Sequence, residues 1–94
     1  MSETQVIRVR YWAAARSAAG VAEDTVDVTG TVTLAELIAE VVRRRAGSAG
    51  SRFEDVLGAC SVLVGDQPVA TRDPGAVDVP PGATVEFLPP FAGG

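Results

Sequence analysis

The sequence predicts an α+β fold in which one main helix lies across a mixed sheet of four or five strands. Three observations carry that expectation. Residues 6–12, VIRVRYW, alternate apolar and polar side chains with the period of a half-buried strand. Thr33 and Glu36 stand at the spacing of a capping box, just before an apolar stripe at helical spacing. In the second half, short apolar runs such as CSVLV and TVEFL are bounded by glycine, proline and aspartate, the pattern of strands joined by turns.

Each element follows in order. In the first strand Ile7, Val9 and Tyr11 point one way while Arg8, Arg10 and Trp12 point the other, giving one buried and one wet face. The alanine-rich AAARSAAG (13–20) reads as a loop, with a helical turn the alternative. DTVDV (24–28) is a second strand, antiparallel to the first, with Val26 and Val28 inward. Val32 and Leu37 occupy the two positions of a hydrophobic staple around the capping box. Leu34, Leu37, Ile38, Val41 and Val42 form the stripe. Arg43, Arg44 and Arg45 close the helix against its dipole, and Gly47 is placed as its C′ residue. GSAGS (47–51) reads as a flexible link, and Ser51 with Glu54 opens a short helix through Phe53, Val56 and Leu57. CSVLV (60–64) reads as a central strand. GDQ (65–67) turns into a brief strand at Val69 and Ala70, and PPGA (80–83) turns into the last strand, TVEFL (84–88).

The helix stripe is expected to pack on Ile7, Val9, Val26, Val28, Leu63 and Val85. No repeat or linker interrupts the chain, so residues 1–88 are expected to form one domain and residues 89–94, PPFAGG, a flexible tail. Strand, strand, helix, short helix, strand, short strand, strand is the order of the β-grasp, or ubiquitin-like, arrangement. In that arrangement the first and last strands lie side by side and parallel in the middle of the sheet.

Composition excludes several functions. Ninety-four residues, 47% hydrophobic and 21% charged, fit a single small globular core. A net charge of −4 without an extended basic run argues against nucleic acid as a partner. No apolar run approaches the roughly 18 residues of a membrane span, and MSETQVIRVR lacks the apolar core of a secretion signal. A cytoplasmic location is expected, and the single Cys60, unable to form an internal disulfide, agrees with it. The chain has no histidine, and all eight of its basic residues are arginine. Cys60 and the serines therefore have no imidazole or amine partner for nucleophilic catalysis, and no metal-ligand spacing is visible. Cys60 reads as a buried structural thiol. A self-contained active site is not expected.

Pro89 and Pro90 fix φ and favour an extended conformation, so the tail projects from the last strand. Six extended residues reach roughly 20 Å. Gly93 and Gly94 have no side chains and can enter a narrow channel, with Phe91 as an apolar anchor and Ala92 between them. A carboxylate at Gly94 is a poor electrophile until a nucleotide-dependent partner converts it to an acyl-adenylate.

Two blocks, VIRVRYWAAARSAAG (6–20) and VPPGATVEFLPPFAGG (79–94), together with the VLVGDQPV hairpin (62–69), resemble the MoaD/ThiS-type sulfur carriers over nearly the whole chain. The likeness is greatest to their molybdopterin synthase small-subunit branch. The resemblance implies that Gly94 is adenylated by an E1-like adenylyltransferase using ATP and magnesium, then converted by a sulfur donor to a thiocarboxylate. It implies delivery of that sulfur to cyclic pyranopterin monophosphate held by a molybdopterin synthase large subunit, in a heterotetramer for molybdenum cofactor biosynthesis. No cofactor or metal is implied for this chain. Trp12 and Leu88 match positions where the family presents apolar side chains to partners, and Pro68 extends the patch. GAT (82–84) and GD (65–66) depart from the family pattern without touching the tail. Sulfur transfer in another pathway, to thiamine thiazole or cysteine, uses the same tail chemistry; a ubiquitin-like modifier or binding module is the reading from another class.

Overall fold

A computed structural model describes residues 4–45 and 50–90. The expected Gly47 cap and Phe91, Ala92, Gly93 and Gly94 of the tail lie outside the described residues.

The first strand, β1 (Gln5–Tyr11), buries Ile7, Val9 and Tyr11 and exposes the residues between them, as its alternation requires. It pairs antiparallel with β2 (Glu23–Val28), whose Val26 and Val28 face the same core. Between them the expected loop is a helix, α1 (Ala13–Ala19). No side chain caps its start, and Ala13 takes a left-handed φ of 48°, so the usual start signals are absent. Its end is regular: Gly20 adopts φ 79° and its N–H donates to the Arg16 carbonyl at 2.9 Å. Seven residues do not hold a helix alone; burial of Ala15 in the core anchors this one.

The main helix, α2 (Leu34–Arg44), starts as expected. The Thr33 hydroxyl accepts from the Glu36 N–H at 3.1 Å, and the Glu36 carboxylate accepts from the Thr33 N–H at 2.8 Å. Leu34, Leu37 and Val41 are buried, and Ile38 and Val42 pack against the core partly exposed. The next helix, α3 (Gly50–Ala59), buries Phe53 and Leu57. It already includes Gly50 and Ser51, so Ser51 lies inside the helix instead of capping it, and the expected link is shorter.

The strand β4 (Ser61–Val64) begins one residue later than expected, because Cys60 closes α3: its N–H donates to the Leu57 carbonyl at 3.1 Å and its thiol to the Val56 carbonyl at 3.2 Å. Cys60 is half-buried, not buried. The short strand is β5 (Gln67–Pro68), two residues before the expected position. Ala70 stops it with a φ of 56°, while Val69 turns into the core. Pro68 lacks an N–H and is tolerated on this edge. The last strand, β7 (Thr84–Leu88), has the expected bounds.

These strands form one sheet in the order β2-β1-β7-β4-β5, with β1 and β7 parallel at the centre. A second ladder escaped the sequence. Two-residue strands β3 (Val32–Thr33) and β6 (Asp78–Val79) pair antiparallel beside the start of α2, where Leu34 N–H also donates to the Val77 carbonyl at 2.8 Å. The core assignment needs one correction. Leu63 pairs with Glu86 and Pro68, and Val62 and Val64 supply the core contacts of β4. A one-residue shift in a strand reverses the face, so Leu63 belongs to the outer surface.

The three arginines at the end of α2 do not act alike. Exposed Arg43 and Arg44 pair with half-buried Glu40 at 2.7 and 3.0 Å, and Arg44 also donates to the Thr25 carbonyl on the edge of β2 at 2.8 Å. Arg45 turns inward. Its guanidinium pairs with Asp24 at 2.7 Å, donates to the Ala19 carbonyl at 2.9 Å, and lies 5.1 Å from the Phe53 ring centroid. The Tyr11 hydroxyl donates to the same Asp24 carboxylate at 2.7 Å. One cluster therefore ties β1, β2, α1 and the end of α2.

Burial, with Asp24 next, holds the Tyr11 phenol protonated well above its ordinary value of 10.0. The stability this gives is intact below about pH 10 and declines as pH rises beyond it, because the unfolded phenol ionises first. Tyr11→Phe is expected to cost about 1 kcal/mol at neutral pH. It should also flatten the fall in stability between pH 9 and 11, as measured by urea unfolding.

Candidate functional site

The site is built at the end of β7. Parallel pairing places Tyr11 beside Phe87, and the Trp12 N–H extends the ladder by donating to the Phe87 carbonyl at 3.1 Å. Phe87 is fully buried, so the neighbouring Leu88 is turned to the opposite face. Trp12, whose backbone remains extended, continues the outward alternation of Arg8 and Arg10. It is 41% exposed, a large value for the chain's only tryptophan.

Register defines the rows of this outer face. Trp12, Leu88 and Ser61 make the row nearest the tail, and Arg10, Glu86, Leu63 and Pro68 make the next. At about 4.8 Å per strand, Trp12 and Leu88 are immediate neighbours, while Pro68 stands on the far edge of the patch. The three expected partner-facing residues therefore share one face, with Leu63 between them. Sequence reasoning missed Leu63 by assigning it to the core, and did not weigh Glu86. Alternation back from Leu88 would have found Glu86.

Glu86 is the polar centre of the face. Its Oε1 accepts from the Trp12 indole N–H at 3.1 Å and lies 4.0 Å from Arg10, whose guanidinium stands 4.9 Å from the Trp12 ring centroid. Beyond Leu88, Pro89 is half-buried and Pro90 exposed. The chain thus leaves a central, doubly paired strand beside an apolar patch.

Cys60 is remote from this chemistry in character. Burial pushes its thiol up to about 11, and the thiol is engaged with Val56. It is protonated at neutral pH, where thiolate nucleophiles are needed. Alkylation by iodoacetamide, followed by intact mass, is expected to be slow at pH 7.5 and to accelerate steadily towards pH 11.

The parallel β1–β7 centre, the helix across one face and the segment leaving the central strand define a ubiquitin-like β-grasp protein. The chain belongs to the ThiS family, whose profile matches residues 9–94. This is the family that its opening and closing blocks resemble. Among solved structures, it is similar to the HVO 2177 protein of Haloferax volcanii, with 23% identity and a TM-score of 0.69, covering 97% of this chain and 88% of that one. A Pyrococcus furiosus protein assigned as molybdopterin converting factor, subunit 1, is 20% identical with a TM-score of 0.70, covering 92% and 98%. The small archaeal modifier protein 1 of Methanosarcina acetivorans is 14% identical with a TM-score of 0.71, covering 98% and 99%. At these identities the likenesses establish the fold. No curated protein matches the sequence significantly. Among the described residues, no helix is long and apolar enough to cross a membrane.

Proposed function

We propose that this chain is a sulfur carrier for molybdopterin formation, with residues 89–94 acting as a tail projected from domain 1–88. The observation that carries the reading is the launch point: a Pro-Pro segment leaves the central strand β7 beside Trp12 and Leu88. A rigid base makes the reach of the tail reproducible, and the apolar face beside it gives a partner a surface to grip.

In this reading an E1-like partner adenylates the Gly94 carboxylate with ATP and magnesium, and sulfide delivered by a sulfur donor displaces AMP to leave a thiocarboxylate. Pro89, Pro90, Phe91 and Ala92 extend the tail, Gly93 lets it pass, and Gly94 carries the sulfur. A molybdopterin synthase large subunit holds the pterin precursor and receives the face bearing Trp12, Leu88 and Pro68. Membership of the ThiS family and the fold shared with a molybdopterin converting factor subunit support this. The carrier contributes the reacting terminus, and the partners contribute nucleotide and pterin chemistry.

The shared fold with a protein named as a modifier favours a second reading, in which Gly94 is joined to lysines of other proteins. One experiment separates the two. The protein is incubated with ATP, magnesium, an E1-like enzyme and a sulfur donor, then with the large subunit and cyclic pyranopterin monophosphate. A sulfur-for-oxygen exchange at Gly94 that disappears as dithiolene forms supports the carrier. Isopeptide-linked conjugates without sulfur turnover would replace it with the modifier.

A further inference from the structure

Glu86 has no part in the tail chemistry, yet it joins the two cationic and aromatic groups nearest the tail's root. A free surface indole samples several rotamers and must lose that freedom when a partner covers it. Trp12 is restrained on two sides. Its N–H donates to Glu86 at 3.1 Å, and Arg10 stands over one ring face with its guanidinium carbon 4.9 Å from the centroid. Arg10 reaches the same Glu86 carboxylate at 4.0 Å. Parallel register sets Arg10 opposite Glu86, and the Glu86 side chain is only 23% exposed. Glu86 is the member that holds both of the others.

We propose that Glu86 is a positioning residue of the docking face, fixing the Trp12 indole as a preset anchor beside the tail. The partner's identity rests on the reading above; the restraint itself does not. The occupant is the protein that receives the tail, because Trp12 and Leu88 lie in the row from which the tail departs.

The chemistry of its surface follows. The indole N–H is already satisfied within this chain, so the receiving slot supplies no acceptor for it. Arg10 covers one ring face, so the slot takes the other, together with Leu88 and Leu63. Without Glu86, docking would bury an unpaired N–H, a defect that weakens binding about tenfold.

The test uses the full chain and Glu86→Ala and Glu86→Gln variants. Because Trp12 is the only tryptophan, fluorescence anisotropy and the indole N–H resonance report on it alone. Affinity for the molybdopterin synthase large subunit is measured by titration calorimetry. Glu86→Ala is expected to lower the anisotropy, shift the indole resonance and weaken binding about tenfold. Glu86→Gln keeps an acceptor oxygen and should restore the indole signal and most of the affinity. Unchanged Trp12 signals in Glu86→Ala would overturn the restraint. Altered signals with unchanged affinity would overturn the anchor, and a Gln variant as weak as Ala would overturn the indole hydrogen bond as its basis. If the unaltered chain does not bind the large subunit, the partner assignment and the anchor fall together, while the fluorescence still decides the restraint.

Discussion

Removal of Gly94 is expected to abolish sulfur loading while changing folding stability by less than about 0.5 kcal/mol. The separation follows from the position of the tail. The last strand ends at Leu88, and Pro90 is already exposed. Deletion moves the terminal carboxylate back by one extended residue, about 3.5 Å. Acyl transfer requires near-attack geometry, where a displacement of about 1 Å can already cost a hundredfold. A carboxylate one residue short is therefore out of reach of the adenylating site, even though its chemistry is unchanged. Gly94→Ala keeps the chain length and adds one methyl group, so it should load slowly instead of failing. Intact mass after incubation with ATP, an E1-like enzyme and a sulfur donor measures both. Normal sulfur exchange in the deletion variant would overturn the requirement for reach to Gly94, an unaltered chain that takes up no sulfur would end the carrier reading, and a large loss of thermal stability would show that the tail belongs to the folded domain.

The largest stability effect of a polar substitution is expected at Asp24. Asp24→Ala should cost about 2–3 kcal/mol, short of the full penalty for a buried pair because some solvent remains. For a domain of this size that lowers the thermal midpoint by roughly 10–20 °C. The Asp24 and Arg45 side chains are only 14% and 11% exposed, and Asp24 also accepts from Tyr11. Its loss leaves the phenol without its acceptor and the guanidinium without its counter-charge, holding the Ala19 carbonyl. Glu40→Ala removes two pairs by count, with Arg43 and Arg44, but these are exposed and should cost well under 1 kcal/mol. Differential scanning calorimetry of the two variants compares them directly. Equal midpoints would mean that water replaces Asp24 in the cluster.

The Asp24 cluster also illustrates which contacts a sequence conceals. Three consecutive arginines read as one helix terminus, and local spacing gives no reason to treat them separately. Arg45 differs because the chain brings Ala19, Asp24, Tyr11 and Phe53 around it, from positions up to 34 residues away by number. The α1 helix was hidden for a related reason. Its start has no side-chain cap, and seven residues need tertiary burial to stay helical. The Leu63 error was one of phase. An apolar run that lacks alternation does not reveal which of its residues points inward, and pairing with β7 decided it.

Local chemistry did settle the alternation of β1, the capping box of α2 and the bounds of β7. Each depends on residues within a turn or two of one another, where steric preference and hydrogen bonding act without help. Trp12 and Leu88 could be placed on one face by the same local alternation. That Glu86 holds Trp12 and that Arg10 covers it required the parallel pairing of β1 with β7, whose partners stand 76 residues apart by number, and Leu63 and Pro68 complete the patch through the antiparallel pairings of β4 with β7 and β5. Strand register is a long-range quantity, set by the shared core, so the face beside the tail exists only in the folded protein.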